Sequence, residues 1–284
     1  MTSNYGFLEY SYNPNSYSQE YIEGKLLLYG FTKRLTSNTA NISMWVQGLC
    51  IFFVRETEKV ESAGISGIGL VGSYDDLNIK NSWIDNVLNV PVTGDTCGTR
   101  IIFVDAGDDD SFYSNDLNLF TVLSEPIIQQ NLLNSVSGVV YNACTNSMMD
   151  FYQSLGFKFT SSGEKYQVLT SPNNRFTILS NKDNKNNKIK TVVIDTHDIW
   201  NVTSNFSLKG IKFSTPSQSK LEGFGKMSHK IKGYGLIADG TDQSYSIENK
   251  ITEALPGVDF IIRMRKQYLT IKENMLKTHY HEAE

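Results

Sequence analysis

Four short apolar runs, each followed by a longer mixed segment, open near residues 6, 65, 136 and 188 of this chain. They are Gly6–Tyr12 (GFLEYSY), Gly64–Val71 (GISGIGLV), Val136–Tyr141 (VSGVVY) and Ile189–Asp195 (IKTVVID). Internal repetition constrains a fold strongly, because every copy must bury equivalent faces in an equivalent way. The first and third units also close alike, on Leu28-Tyr29-Gly30-Phe31 and Ser154-Leu155-Gly156-Phe157. Each unit has room for a strand, a helix and about three further strands of ordinary length. Paired two by two, the units predict an α+β chain of two domains, residues 1–130 and 131–284. Each domain would be a curved sheet wrapped around a cavity.

The third unit carries the clearest local signals. Met149, Tyr152 and Leu155 recur at helical spacing and predict one buried helical face. Asn146 or Ser147 is placed to cap that helix, and Gly156 to end it in a left-handed conformation. Tyr166–Thr170 and Arg175–Leu179 predict a hairpin around Ser171-Pro172-Asn173-Asn174, with Asn181–Lys190 as a polar loop beyond it. In the first unit, Tyr17–Tyr29 is predicted helical and stops at Gly30. Strands Thr32–Leu35, Ser43–Gln47 and Leu49–Arg55 follow. Tyr74–Leu88 is helix-compatible, Thr99–Asp105 is a strand, and Leu117–Ser135 joins the halves. In the fourth unit, Thr196 or Asp198 caps a helix over Asp198–Ser207. Gly233–Asp239 and Val258–Arg263 are late strands, and Arg265–His281 is a charged C-terminal helix.

Charge and cysteine content exclude several function classes. The net charge is −4 and there is no basic tract, which argues against nucleic acid as a partner. Cys50, Cys97 and Cys144 are odd in number and form no C-x-x-C pair. That pattern suits reduced thiols in a cytoplasmic protein rather than a disulfide framework or thiolate zinc site. No segment reaches the length of a membrane span, and MTSNYGFLEY lacks the basic start and apolar core of a secretory leader. Asp108-Asp109-Asp110 lacks the alternating spacing of a calcium loop and reads as a solvated turn. Self-association into a homo-oligomer remains open.

The βαβββ repeat, with a helix ending Phe151-Tyr152-Gln153-Ser154-Leu155-Gly156-Phe157, resembles the vicinal oxygen chelate superfamily. Within it the chain is similar to 4-hydroxyphenylpyruvate dioxygenases and hydroxymandelate synthases over nearly its whole length. Gly6-Phe7 through Gly30-Phe31-Thr32-Lys33 resembles the family's opening module. Val90-Pro91 through Ile102-Phe103-Val104-Asp105 resembles the end of its N-terminal domain. Ser171-Pro172 through Ser180-Asn181 is similar to its substrate-side hairpin, and Gly210-Ile211-Lys212-Phe213 with Thr215-Pro216 to the segment after its fourth helix. The resemblance implies a glyoxalase-like fold of four modules in two half-open barrels.

It also implies Fe(II) held by two histidines and one glutamate, with open positions for an α-keto acid and dioxygen. The matching positions here are Gly138, Thr191 and Phe260, so the ligand set is absent. Of the four histidines, His197 is expected near a helix start, His229 in the loop Lys226–Lys230, and His279 and His281 in the tail. Asp259 is next to the glutamate position. Turning it inward by a register slip would flip the pattern of its strand. Asn181 and Ser171 match polar positions on the family's substrate side. Gln167 and Arg263 are further candidates to face the cavity.

Three functions follow as expectations. One is a divergent protein without a metal cofactor that binds or transforms a small aromatic molecule. The second is an Fe(II) dioxygenase acting on an aromatic α-keto acid. The third is a non-catalytic scaffold or partner-binding protein.

Overall fold

The computed structural model describes residues 4–37, 41–72, 82–85, 89–105, 132–142, 146–162, 166–173, 175–181, 188–213, 227–231, 234–239 and 244–265. Each run that opens a unit is a strand, and these four strands form the centres of two sheets. In the first half, β1 (Asn4–Tyr12) is followed by α1 (Gln19–Leu28), β2 (Thr32–Ser37), β3 (Ile42–Gln47) and β4 (Cys50–Glu56). The second unit contributes β5 (Gly64–Val71), β6 (Trp83–Asp85), β7 (Val90–Gly94) and β8 (Arg100–Val104). The third contributes β9 (Ser135–Tyr141), α2 (Asn146–Ser154), β10 (Lys158–Ser162), β11 (Tyr166–Thr170) and β12 (Thr177–Asn181). The fourth contributes β13 (Ile189–Asp195), α3 (Ile199–Leu208), β14 (Met227–Ile231), β15 (Tyr234–Asp239), β16 (Ser244–Leu255) and β17 (Val258–Arg265).

The strand orders are β2-β3-β4-β1-β5-β8-β7-β6 and β10-β11-β12-β9-β13-β17-β16-β15-β14. In each unit the first strand pairs in parallel with the last: β1 with β4, β5 with β8, β9 with β12 and β13 with β17. Parallel pairing demands a crossover, which α1, α2 and α3 help to supply in three of the units. Two units then join through their first strands, antiparallel, as β1–β5 and β9–β13.

Local chemistry fixes the helices. Ser18 Oγ accepts from Tyr21 N at the start of α1, and Asp198 accepts from Asn201 N at the start of α3. Beyond α1 and α2, Gly30 and Gly156 have φ of 86° and 90°, a conformation that favours glycine. Met149, Tyr152 and Leu155 are buried together, as their spacing predicts.

Three sequence expectations change. Trp83–Asp85 lies in the segment expected to be helix-compatible but is a strand, because it pairs with Val90–Val92 of β7; residues 73–81 and 86–88 lie outside the described residues. His229 is on β14 rather than in a loop. β16, a twelve-residue strand, was not expected; its centre, Glu248-Asn249-Lys250, is polar on both faces. The acidic stretch 108–110, Cys144 and the expected C-terminal helix beyond residue 265 lie outside the described residues, as do His279 and His281.

One core joins both halves. It contains Ile22 and Leu26 of α1, Met148 and Tyr152 of α2, and Val202 and Phe206 of α3, together with one face of each sheet. Tyr29 packs against Phe206 and Phe260, at ring distances of 5.6 and 5.5 Å, and Phe52 lies 6.0 Å from Phe260. Such ring pairs contribute about 0.5–1.5 kcal/mol each beyond their buried area. The other face of each sheet has its own cluster: Phe7, Met44, Ile51, Phe53, Val92 and Ile102 among others in the first, and Val140, Val168, Leu179, Val193 and Ile261 in the second. The helices and the shared core cover one face of each sheet, and the opposite face, which carries these second clusters, is called the inner face below.

A polar latch also crosses the halves. Asp95, in the turn between β7 and β8, accepts from the hydroxyls of Tyr141 (2.8 Å) and Tyr152 (3.1 Å). Its other oxygen accepts from the backbone N–H groups of Cys97 and Thr99, both at 2.8 Å. The carboxylate is therefore buried with both oxygens occupied. In the reverse direction, Tyr10 of β1 donates to the carbonyl of Pro256, in the turn between β16 and β17 (3.0 Å).

Candidate functional site

The inner face of the second sheet is read from its ladders. On β17, Val258, Phe260 and Ile262 belong to the shared core, so Asp259, Ile261 and Arg263 alternate onto the inner face. On β13, Ile189, Val192 and Ile194 face the shared core, leaving Thr191, Val193 and Asp195 inward. Thr191 pairs with Val140 on one side and Asp259 on the other, which makes Val140–Thr191–Asp259 one row across three strands. The neighbouring row is Gly138–Val193–Ile261.

Phe260, the residue that the resemblance matches to the family's glutamate, turns away from the inner face. Its ring is buried against Tyr29 and Phe52, on the far side of the sheet. Asp259 faces inward with no register slip, because Val258, Phe260 and Ile262 point to the core between the halves. Its carboxylate is 4% exposed. It receives the Lys250 ammonium at 2.5 Å and the Glu253 backbone N–H at 3.0 Å. Lys190 Nζ lies 3.9 Å away and 3.2 Å from Glu253 Oε1.

A second cluster spans the same strands at their other end. Ser137 is the extra residue of a β-bulge in β9, a device that re-aims a side chain. Its hydroxyl donates to Asp195 Oδ1 at 2.7 Å and accepts from Arg263 Nη2 at 3.0 Å. Arg263 Nε donates to the same Asp195 oxygen at 2.9 Å. Arg263, 3% exposed, also stands opposite the buried Glu248 of β16.

The other sequence candidates are dispersed. Ser171 is buried in the β11–β12 hairpin, where its hydroxyl contacts Asn173 Oδ1 (2.6 Å) and accepts from Phe176 N (3.0 Å). It holds the turn. Gln167 pairs with Ser180, which pairs with Tyr141 of the shared core, so Gln167 is on the helix side of the sheet and not the inner side. Asn181 ends β12, its backbone opposite Tyr166. His197 is exposed just ahead of α3, its backbone N–H donating to Asn134 Oδ1.

The residues present do not fit the family's Fe(II). The positions matched by sequence, Gly138, Thr191 and Phe260, offer no imidazole and no carboxylate, and the inward Asp259 beside Phe260 is already paired with Lys250. A Cβ added at Gly138 would sit 2.6 Å from the carbonyl oxygen of Thr177, so no side chain projects there without moving β12. Among the described residues, no group of three His, Cys, Asp or Glu is arranged to hold a metal ion. Of the thiols, Cys50 is buried, and that burial pushes its pKa up, away from a reactive thiolate. A cavity of about 100 Å³ lies on the helix side of the first sheet, among Tyr12, Gln19, Glu23, Ser43 and Glu56. Its carboxylates are already engaged, Glu23 by Lys33 and Glu56 by Tyr12.

Comparison with solved structures decides the fold. A xylose isomerase-like TIM barrel/4-hydroxyphenylpyruvate dioxygenase fusion protein superposes with a TM-score of 0.66 at 14% identity, covering 94% of this chain and 49% of the fusion protein. A mutant of 4-hydroxymandelate synthase from Streptomyces coelicolor superposes with a TM-score of 0.60 at 9% identity, covering 93% of each chain. The chain has the vicinal oxygen chelate fold. It spans about half the length of the fusion protein and nearly the full length of the synthase. No protein-family model and no curated protein matches the sequence. The Val140–Thr191–Asp259 row crosses β9, β13 and β17, the same three strands that hold Gly138, Thr191 and Phe260. No helix among the described residues is long and apolar enough to cross a membrane.

Proposed function

We propose that this vicinal oxygen chelate protein binds a small aromatic acid at the inner face of its second sheet without using Fe(II). One observation carries the reading. That face combines small aliphatic side chains, Val140, Val193 and Ile261, with the nearly buried cations Lys250 and Arg263. An apolar wall with a few fixed polar groups is the usual make-up of a small-molecule site. The aliphatic residues suit a ring, and the ion pairs Lys250–Asp259 and Arg263–Asp195 line the face with fixed polar groups. The names of the two structural neighbours support the substrate class, since each is tied to a hydroxyphenyl acid. Of the sequence candidates, Arg263 is retained in this role.

The test combines metal content with ligand response. Purified protein is expected to carry no stoichiometric iron and to consume no oxygen with 4-hydroxyphenylpyruvate and added Fe(II). Its melting temperature is expected to rise with the concentration of 4-hydroxyphenylpyruvate or a related aromatic acid, as any ligand of the folded state requires. Stoichiometric iron with oxygen uptake would establish the dioxygenase reading instead. An unchanged melting temperature across aromatic acids would leave the fold as a scaffold.

A further inference from the structure

We infer that the Lys250 ammonium is this protein's built-in replacement for the divalent cation of its fold relatives. The inference rests on the metal-independent reading above and adds what stands in the metal's place. Asp259 is the inward carboxylate of the last strand and the direct register partner of Thr191. A carboxylate at 4% exposure needs a compensating cation. Lys250 provides it from β16, the adjacent strand, where its backbone pairs with Ile261. An ammonium is a compact charge on a flexible stem, so it reaches Asp259 diagonally across one strand spacing.

The surroundings exclude a metal as well as supplying the substitute. Of the two Asp259 oxygens, Oδ2 receives Lys250 and Oδ1 receives the Glu253 N–H. That N–H is aimed by an unusual backbone: Glu253 has φ of 52° within an irregular stretch of the β16–β17 ladder. A non-glycine residue at positive φ is strained, so this stretch of β16 is shaped around the carboxylate at some cost to the backbone. Elsewhere in the row, Val140 and Thr191 offer no imidazole. A divalent cation would have to displace Lys250 and would then find a single carboxylate oxygen pair.

The pairing is specific to the second sheet. In the first sheet the inward carboxylate Glu9 is met by arginines, Arg100 at 3.1 Å and Arg55 at 3.8 Å. Arginine cannot mimic a point charge in the same way. Lys250 is therefore a positioning residue that holds the Asp259 carboxylate in place in a site without metal.

The experiment is chemical rescue of Lys250→Ala in the full chain. Deleting the ammonium is expected to lower the melting temperature, and ethylammonium at about 100 mM to restore about 3 °C or more by binding the folded state. Wild type and Lys250→Ala/Asp259→Asn are expected to show no such rise. The isosteric pair Lys250→Met and Lys250→Met/Asp259→Asn gives a second readout should Lys250→Ala fold poorly. The double variant should melt higher than the single, because it leaves no uncompensated charge. Failure of rescue together with an equally unstable double variant overturns the ammonium assignment and leaves aromatic-acid binding untouched. Stoichiometric Co(II) uptake by wild type, read by dialysis and visible absorption, overturns both.

Discussion

The two inner faces use the same parts in exchanged positions. On the first sheet, Glu9 of β1 accepts from Ser66 of β5 (2.9 Å) and from Arg100 of β8 (3.1 Å). On the second, Asp195 of β13 accepts from Ser137 of β9 (2.7 Å) and Arg263 of β17 (2.9 Å). Serine and carboxylate have traded strands, and each serine is the extra residue of a bulge in the central antiparallel pair. A trio that recurs in both halves belongs to the scaffold. The remainder of each face differs. Phe7, Met44 and Phe53 fill the first, with Phe7 and Phe53 edge to face at 4.5 Å. The second has valine, leucine and isoleucine, together with the Asp259–Lys250 pair. Aromatic filling thus marks one inner face, and aliphatic side chains with a buried ion pair mark the other.

Truncation of the aromatic filling should have the largest effect. Phe53→Ala is expected to destabilise the fold by about 3–5 kcal/mol in urea unfolding, whereas Ile261→Val on the second face should cost about 0.5–1.5 kcal/mol. The isoleucine variant should nonetheless weaken the melting shift produced by an aromatic acid. Equal losses of stability with no change in ligand response would erase the contrast between the faces.

Next comes the trio itself. Arg263→Met leaves Asp195 without its guanidinium and is expected to cost about 3 kcal/mol, part of which Arg263→Met/Asp195→Asn should recover. Urea midpoints for the cycle measure the coupling. A smaller loss, about 1–3 kcal/mol, is expected for Gly138→Ala, because its methyl group would press on the Thr177 carbonyl. Gly64→Ala, where a Cβ meets nothing within 4 Å, serves as the control, and its midpoint should hardly move. If the two glycine variants behave alike, close approach of β9 and β12 is not what selects glycine.

The smallest effect near neutral pH is set by buried phenols along the shared core. Burial pushes the Tyr29 pKa up to about 12; Tyr141 is also raised, by burial first and then by Asp95, and Tyr152 by burial first and then by Tyr141 and Asp95. In the unfolded chain a tyrosine releases its proton near pH 10. Below that value both states hold the proton and stability is flat. Between about pH 10 and 12 only the unfolded state ionises, so stability falls. Urea midpoints should match at pH 8 and 9 and drop by pH 11. A midpoint rising over that range would contradict the burial of these hydroxyls.

Much of the architecture was legible in the sequence because it rests on local signals. The four opening strands, the helix stops at Gly30 and Gly156, and the capping Asp198 each follow from chemistry within a few residues. β16 was not legible, since Glu248, Asn249 and Lys250 give neither a strand nor a helix period. The site was harder for a related reason. Hydrophobic alternation tells which residues of β17 are buried in the main core, and here the main core lies behind the sheet, between the halves. Phe260 therefore drew attention although it faces away, while Asp259 was the inward residue. Lys250 was invisible because its partner is set by a ladder between strands, not by sequence spacing. Ser171 is a candidate because it matches a polar position of the resembled family and Gln167 by its expected strand facing, and the hairpin and the helix-side face account for them.

Asp95 ties the two halves of this chain together. Its carboxylate belongs to the first half, yet the phenols that bind it belong to the third unit. A gene cut between the two sheets would encode a second half with two buried hydroxyls deprived of their acceptor, and a first half with a naked acid on its surface. The halves repeat one topology, but they are not interchangeable parts; each carries a piece of the other's interior.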